Sequence, residues 1–209
     1  MGDDAELVAA LRRGDEAAFA GLVDTWGPAL LRLARAHVPS HAVAEEVVQE
    51  TWLAVLRGID GFQGRSPLRA WVFGILLNLA RTHGRRERRM LPFASLRRRG
   101  DDGPAEPPER FQGRRGEHPG GWASPPAPWA DPHERLEADA ARAVVRKVIA
   151  ELPARQREAI LLRDVLGFPP REACGVLGTT EGSERVLVHR ARARVRAALE
   201  RHMREEGVG

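Results

Sequence analysis

Residues 170 to 204 read PREACGVLGTTEGSERVLVHRARARVRAALERHMR, and this stretch decides the fold class. Pro170 is tolerated in the first turn of a helix, and glycine is the residue type that most often closes one, as Gly178 would here. The pattern predicts a short helix over Pro170–Leu177, a turn, and a long helix from about Gly182 to Arg204. On the long helix Val188, Ala191, Val195 and Leu199 recur at intervals of 3, 4 and 4, which makes one apolar face. Arg185, His189, Arg192 and Arg196 recur at 4, 3 and 4 and make a separate basic stripe, flanked by Arg190, Arg194 and Arg201. A short helix, a glycine turn and a longer arginine-rich helix read as a helix-turn-helix. One face would pack on its domain while the other offers arginine donors to guanine edges and phosphates. The alternative is an ordinary helix with a solvated basic face; the turn and short helix ahead of it favour DNA.

Outward from this motif the helical period continues. A segment from Glu134 to Leu152 stops before Pro153, and a second runs from Arg155 to Leu166 and ends at Gly167. Residues 92–134 differ: they carry nine of the 15 prolines and six glycines. So little apolar surface cannot offset the entropy of ordering, so this segment reads as a flexible linker. A flexible chain of that length spans about 35–40 Å r.m.s., enough to join two units without fixing their separation. Trp122 and Trp129 within it either dock on a neighbouring surface or simply travel with the tether.

From Asp3 to Arg89 the pattern is again helical, with no run of period 2 long enough for a strand. Asp15 is placed as an N-cap for a helix carrying Phe19, Leu22, Val23 and Trp26. Gly27-Pro28 punctuates, and a further helix carries Leu30, Leu31, Leu33 and Ala34 to a stop at Pro39. Ser40 or a neighbour opens a long helix through Val47, Val48, Trp52, Leu53, Val55 and Leu56, which Gly58 and Gly61 to Gly64 interrupt. Ser66-Pro67 is read as N-cap and first helical residue of a helix through Trp71, Ile75, Leu79 and Ala80. The expected fold is all-α. Two small helical domains, 1–91 and 135–205, are joined by the Pro/Gly-rich linker 92–134, and the second contains the helix-turn-helix.

Charge is segregated along this chain. The net formal charge is only +4, yet the pI is 10.6, because Lys147 is the one lysine, tyrosine is absent, and almost nothing titrates between neutral pH and the arginine range. Acidic residues gather at Asp3–Glu16 and Glu45–Glu50; basic ones gather at Arg81–Arg99 and Arg185–Arg204. Such asymmetry suggests nucleic acid on one surface and a different partner on another. The segment Ile59–Arg89 adds aromatics Phe62, Trp71 and Phe73 ahead of Arg81, His83, Arg85, Arg86, Arg88 and Arg89. Aromatics for bases and cations for backbone are what single-stranded DNA binding uses. The competing reading makes Trp71 and Phe73 core residues.

At this point the chain resembles the sigma-70 family, extracytoplasmic-function (ECF, group IV) subfamily. The resemblance rests on Ala44-Glu45-Glu46-Val47-Val48-Gln49-Glu50-Thr51-Trp52, on Gly61-Phe62-Gln63-Gly64-Arg65-Ser66, on Leu68-Arg69-Ala70-Trp71-Val72-Phe73, and on Asn78-Leu79-Ala80. Leu152-Pro153-Ala154-Arg155-Gln156-Arg157-Glu158 and Val188-His189-Arg190-Ala191-Arg192 extend it to the C-terminal half. It implies a transcription initiation factor that binds core RNA polymerase. Glu45, Glu46, Val48, Gln49, Glu50 and Leu53 would dock on the β′ clamp helices. An acidic, partly apolar helix suits a basic coiled-coil partner; its alternative is a solvated face over a core stripe.

The resemblance also implies that the loop and the following helix hold the melted −10 element through Phe62, Gly64, Arg65, Ser66, Arg69, Trp71, Asn78, Arg81, His83, Arg85 and Arg86. The loop would capture a flipped base of the non-template strand. Thr180, Ser183, Glu184, Arg185, His189, Arg190, Arg192 and Arg196 would read the −35 element, with the neighbouring surface on the β flap. Thr82, Glu184 and Leu187 depart from the residue types frequent in the family. A cognate anti-sigma protein is a further implied partner. Promoter DNA and polymerase place the expected action in the cytoplasm.

Several classes are set aside. Val72 to Leu77 is too short an apolar run to span a membrane, and Asp3, Asp4 and Glu6 are unlike the basic start of a secretory signal. One cysteine excludes an internal disulfide, and Cys174 on the short helix reads as a small buried hydrophobe. Scattered histidines and the absence of phosphate-binding glycine motifs give no enzyme, cofactor or metal site. The main alternative is a stand-alone helix-turn-helix regulator with an N-terminal helical sensing or dimerisation domain. It explains the C-terminal residues and leaves the acidic helix and the Gly-aromatic-basic segment without a role.

Overall fold

The computed structural model describes residues 2–90 and 132–205. Most of the expected linker, with Trp122 and Trp129, lies outside the described residues. Among the described residues there are eight α-helices and no strand. In chain order they are α1 (Gly2–Arg12), α2 (Glu16–Arg35), α3 (His41–Gly58), α4 (Leu68–Met90), α5 (Pro132–Glu151), α6 (Ala154–Ile160), α7 (Pro170–Leu177) and α8 (Glu181–Glu205). The described helices fall into two compact units. One joins those of Met1–Arg97 with Leu161–Glu184, and the other joins those of Arg98–Ile160 and Arg185–Gly209.

In the first unit the chain is cut into helices by local chemistry. Gly14 takes φ 75°, the left-handed conformation that closes α1, and Asp15 N-H bonds back to Ala10 O at 3.1 Å. The carboxylate of Asp15 at once accepts the Ala18 N–H at 3.0 Å and starts α2. Ser40 caps α3 the same way, its hydroxyl accepting from Val43 at 3.2 Å.

Two expectations are corrected here. Gly27-Pro28 does not divide α2, which runs unbroken with Pro28 inside it. A proline in a helix interior costs about 3 kcal/mol. Leu30, Leu33 and Ala34 are fully buried beyond it, and each leucine contributes about 1.5–3 kcal/mol, so burial outweighs the lost bond. Helix α4 begins at Leu68, one residue later than expected, and its cap is not Ser66. The Leu68 N–H donates to Asp4 Oδ2 of α1 at 3.0 Å.

The core of this unit lies on α4, where Leu68, Val72, Phe73, Leu76, Leu77 and Ala80 are fully buried. Burial on nearly every side follows from its neighbours: α2, α3 and α7 all pack against it. Trp52 of α3 meets the Phe19 ring edge-on at 5.6 Å. Trp71 lies across Gly58, where an added Cβ would come within 3.3 Å of the indole, so that glycine makes room for the ring.

The expected helix from Arg155 to Leu166 changes pitch at its middle. After α6 the chain widens into a π-helical turn, Leu161–Val165, with Leu166 N–H bonded to Leu161 O at 2.9 Å. Gly167 at φ 68° then reverses the chain. Pro170 opens α7 and Gly178 closes it at φ 62°, its N–H donating to Cys174 O and Gly175 O. Both bounds agree with the sequence pattern.

In the second unit Leu152, Ile160 and Ala191 form a buried cluster with Ile149 and Val195 packed against it. Three of the four polar residues of the 152–158 motif are inside, and Arg155 is exposed. Gln156, Arg157 and Glu158 are buried. Arg157 Nη1 donates to Ala150 O at 2.9 Å, satisfying a carbonyl in the last turn of α5. That motif builds the junction between α5 and α6 rather than a ligand site.

Candidate polymerase and nucleic-acid interfaces

Helix α3 is two-faced. Ala44, Val47, Thr51, Trp52 and Val55 face inward, while Glu45, Glu46 and Gln49 are exposed and Val48 is half-buried. Leu53 and Leu56 keep 50% and 47% of their surface open. Two leucines on one exposed strip beside three polar or acidic residues are a small apolar patch with an acidic border. Glu45 also pairs with His41 one turn earlier at 3.2 Å. Glu50 differs from its neighbours: its carboxylate meets His83 Nε2 of α4 at 3.0 Å, so residues expected on two separate surfaces are joined here.

The loop between α3 and α4 starts with a 3₁₀ turn, Ile59–Gly61. Gly61, Gln63, Gly64 and Arg65 are exposed, Ser66 is half-buried, and Gly64 takes φ 66°, a conformation other residues enter only with strain. The Arg65 guanidinium donates to the Gln63 side chain. Phe62 leans on Trp71, ring centres 5.0 Å apart, and both rings are half-buried. Phe73 is fully buried and belongs to the core. Along α4, Asn78, Arg85 and Arg86 are exposed, and Arg81 is half-buried. Thr82 donates its hydroxyl to Asn78 O at 2.9 Å, and Arg85 Nε donates to Arg81 O at 3.2 Å.

Arg69 is placed differently from the other basic residues of this segment. Its Nη2 donates to Leu166 O at 2.7 Å, and its guanidinium lies 4.1 Å from the centre of the Phe168 ring. Phe168 and Phe73 meet edge-on at 5.0 Å, and both are fully buried. The turn before α7 thus occupies the Arg69 side chain in this structure.

Helix α8 starts at Glu181, and Thr180 caps it: its hydroxyl accepts the Ser183 N–H at 3.3 Å, and its carbonyl accepts the Glu184 N–H at 2.9 Å. Thr180, Ser183, Arg185 and Arg190 are exposed; His189 and Arg192 are half-buried. Arg196 is only 6% exposed, so the stripe read from spacing turns inward along the helix. Glu184 is 5% exposed and pairs with Arg163 Nε at 2.9 Å. Its carboxylate faces the protein. Cys174 of α7 is buried as expected; burial first, then the nearby Glu184 and Glu181 carboxylates, push its thiol up from the ordinary range, against a smaller opposing effect of Arg163.

Sequence reasoning missed three kinds of residue here. Val186 is 49% exposed on the N-terminal part of α8, and its position off the 188-191-195-199 stripe is the signal that could have found it. Leu56 lies on the helix expected to dock but is absent from the docking residues read from the sequence. Arg12 of α1 donates from Nε to Ile59 O at 3.2 Å and from Nη2 to Phe62 O at 2.6 Å, and nothing in the local sequence marks a pairing so far along the chain.

An acidic-apolar helix face, a glycine loop with paired aromatics, and a helix-turn-helix together define a DNA-binding, all-α transcription protein. Two family models match it: Sigma-70 region 2 over residues 22–90 and Sigma-70, region 4 over residues 142–195. The chain is 35% identical to the ECF RNA polymerase sigma factor EcfG of Rhodopseudomonas palustris, over 75% of this chain and 71% of that one. A solved structure of CnrH in complex with the cytosolic domain of CnrY shares its fold at TM-score 0.59 and 27% identity, covering 94% of this chain and 97% of that one. The sigma factor RpoE in complex with the anti-sigma factor NepR from Bartonella quintana does so at TM-score 0.57 and 25% identity, covering 87% and 96%. The chain belongs to the sigma-70 family of RNA polymerase sigma factors, within its ECF type. It is a transcription initiation factor that binds core RNA polymerase and promoter DNA. The stand-alone regulator gives way, because region 2 accounts for the N-terminal helices that it left without a role.

Proposed function

We propose that three surfaces divide the work of this factor. The exposed strip of α3, with Glu45, Glu46, Gln49, Leu53 and Leu56, docks on the β′ clamp helices, and Val48 and Glu50 border it. The single observation that carries this reading is the pair of half-exposed leucines inside an acidic border. Leucine burial supplies affinity, and the carboxylates steer a basic partner into register.

The loop 61–66 takes a flipped base of the −10 non-template strand. Phe62 and Trp71 offer a ring pair for stacking, Gly64 and Ser66 let the chain approach closely, and Asn78, Arg81, His83, Arg85 and Arg86 line the path of the strand. Arg69 joins them when it exchanges Leu166 O and the Phe168 ring for phosphate. The exposed N-terminal turns of α8 enter the major groove at the −35 element: Thr180, Ser183, Arg185 and Arg190 supply donors, and Val186 meets a thymine methyl. His189 and Arg192 reach the flanking phosphates, while Glu184 and Arg196 act from inside by holding the helix in place. The surface beside this helix meets the β flap.

Functionally the chain divides at 1–91 and 135–205, with 92–134 as the tether. The factor acts by binding alone, without a catalytic site, in the cytoplasm with the polymerase. A cognate anti-sigma protein covers the polymerase-facing surfaces; the complex of the related RpoE with NepR supports this regulation. Run-off transcription with core polymerase across genomic fragments tests the whole reading. Discrete starts that require both the full chain and core polymerase are expected, and a failure to direct any promoter-specific transcript would refute it.

A further inference from the structure

Helix α1 precedes the stretch matched by the region 2 family model, which begins at residue 22. It is nevertheless tied to both ends of the −10 loop. Arg12 reaches three carbonyls at the start of that loop: Nε donates to Ile59 O at 3.2 Å, and Nη2 to Asp60 O at 3.4 Å and Phe62 O at 2.6 Å. Asp4 reaches the other end, where Oδ2 accepts the Leu68 N–H at 3.0 Å. That N–H is among the first of α4, which have no partner within their own helix, and the preceding Pro67 has none to offer. Asp4 and Arg12 lie eight residues apart, about 12 Å of helix rise and about 80° around the axis. Val8 and Leu11, between them in sequence, are buried and fix α1 against the unit.

We infer that α1 is a brace for the −10 loop, with Arg12 and Asp4 as positioning residues that hold its two ends at the separation needed to receive a flipped base. This rests on the assignment of loop 61–66 to base capture. The chemistry of each anchor suits the task. A guanidinium holds five donors in a rigid, spread fork that reaches separated carbonyls in one plane, whereas an ammonium offers three donors from a single atom. A carboxylate accepting a backbone N–H at a helix start also sits favourably in the helix dipole. The middle of the loop, around Gly64, is left exposed for the ligand. A loop held open at both ends need not be ordered by the base it receives, so affinity is conserved for the base itself.

The test uses holoenzyme assembled from core polymerase and the full chain. The probes are fluorescent non-template oligonucleotides across the −10 element of a promoter mapped by run-off transcription, one intact and others abasic at single positions. Wild type should lose affinity at one abasic position. Arg12→Ala should bind the intact strand about tenfold more weakly, as expected for losing charged hydrogen bonds, and should not discriminate that position. Its affinity for the abasic strand, for core polymerase and for −35 duplex should be unchanged. Arg12→Lys should be intermediate; Asp4→Asn, which keeps an acceptor oxygen, should retain most binding, and Asp4→Ala should not. If wild type discriminates the position and Arg12→Ala does so equally, the brace is refuted and the loop assignment stands. Equal losses on every probe, the −35 duplex included, refute positioning in favour of general damage. If wild type binds all strands alike, the loop assignment falls and takes the brace with it.

Discussion

Replacing Leu53 and Leu56 of α3 by alanine tests the proposed docking face directly. Both side chains already have about half of their surface in water. Docking would cover the open half, and full burial of a leucine is worth about 1.5–3 kcal/mol, so each contributes about 0.8–1.5 kcal/mol to the complex. The double variant should therefore lose about 1.5–3 kcal/mol, or about 10–150-fold in affinity for core polymerase. Fluorescence anisotropy of labelled protein against core polymerase reads this directly. Alanine favours the helix at least as well as leucine. The covered half of each leucine supports the fold by the same arithmetic, so the thermal midpoint should fall by several degrees, and affinity is read well below it. Charge reversal of Glu45 and Glu46 should act differently, slowing association and flattening its salt dependence. Unchanged affinity in the double leucine variant would refute the docking face. A loss of affinity that appears only as the temperature nears the lowered midpoint would mean that unfolding, not docking, causes it.

Three further outcomes follow from the interior. Phe168→Ala removes a fully buried ring that contacts both Phe73 and Arg69, so it should cost about 3–5 kcal/mol on chemical denaturation; the milder Phe168→Leu should raise binding of free protein to −10 single strand by releasing Arg69, and equal binding would refute occupation of that side chain. Glu184→Ala leaves Arg163 without its carboxylate and should cost about 3 kcal/mol in stability; a selective change in −35 base preference at unchanged stability would instead make Glu184 a DNA contact. Cys174 should react slowly with iodoacetamide at pH 8 in the native protein and quickly in urea, because its raised pKa keeps the thiol protonated and burial keeps it covered. The same shift stabilises the folded state below the pKa of the unfolded thiol and fades as pH rises past it, so alkaline titration should lower the midpoint less in Cys174→Ala. Equal native and unfolded alkylation rates would refute the burial.

Much of this protein was legible along the chain because helices carry their signals locally. The period of Val188, Ala191 and Val195, the stop at Gly178 and the caps at Asp15 and Ser40 all operate within one or two turns. The motifs that mark the family are contiguous for the same reason. What spacing could not supply was the sense in which a periodic position is used. Arg196 and Arg185 share a stripe, yet one is covered and the other open, because a neighbouring element decides which turns of a helix it shields. The Gly27-Pro28 break failed because burial beyond it outweighs one lost hydrogen bond.

By itself the sequence determined an all-α chain, the bounds of α7, the starts of α2 and α3 to within a residue, and the separation of acidic from basic helices. Only the tertiary structure decided that Asp4 rather than Ser66 caps α4, that Arg12 gathers carbonyls at the start of the loop between α3 and α4, and that Arg69 is held by the turn before α7. Those contacts join residues 50 to 97 positions apart. A backbone carbonyl or N–H looks the same beside every residue, so no pattern in the chain announces which side chain will meet it. Packing brings them together, and packing is a property of the folded molecule.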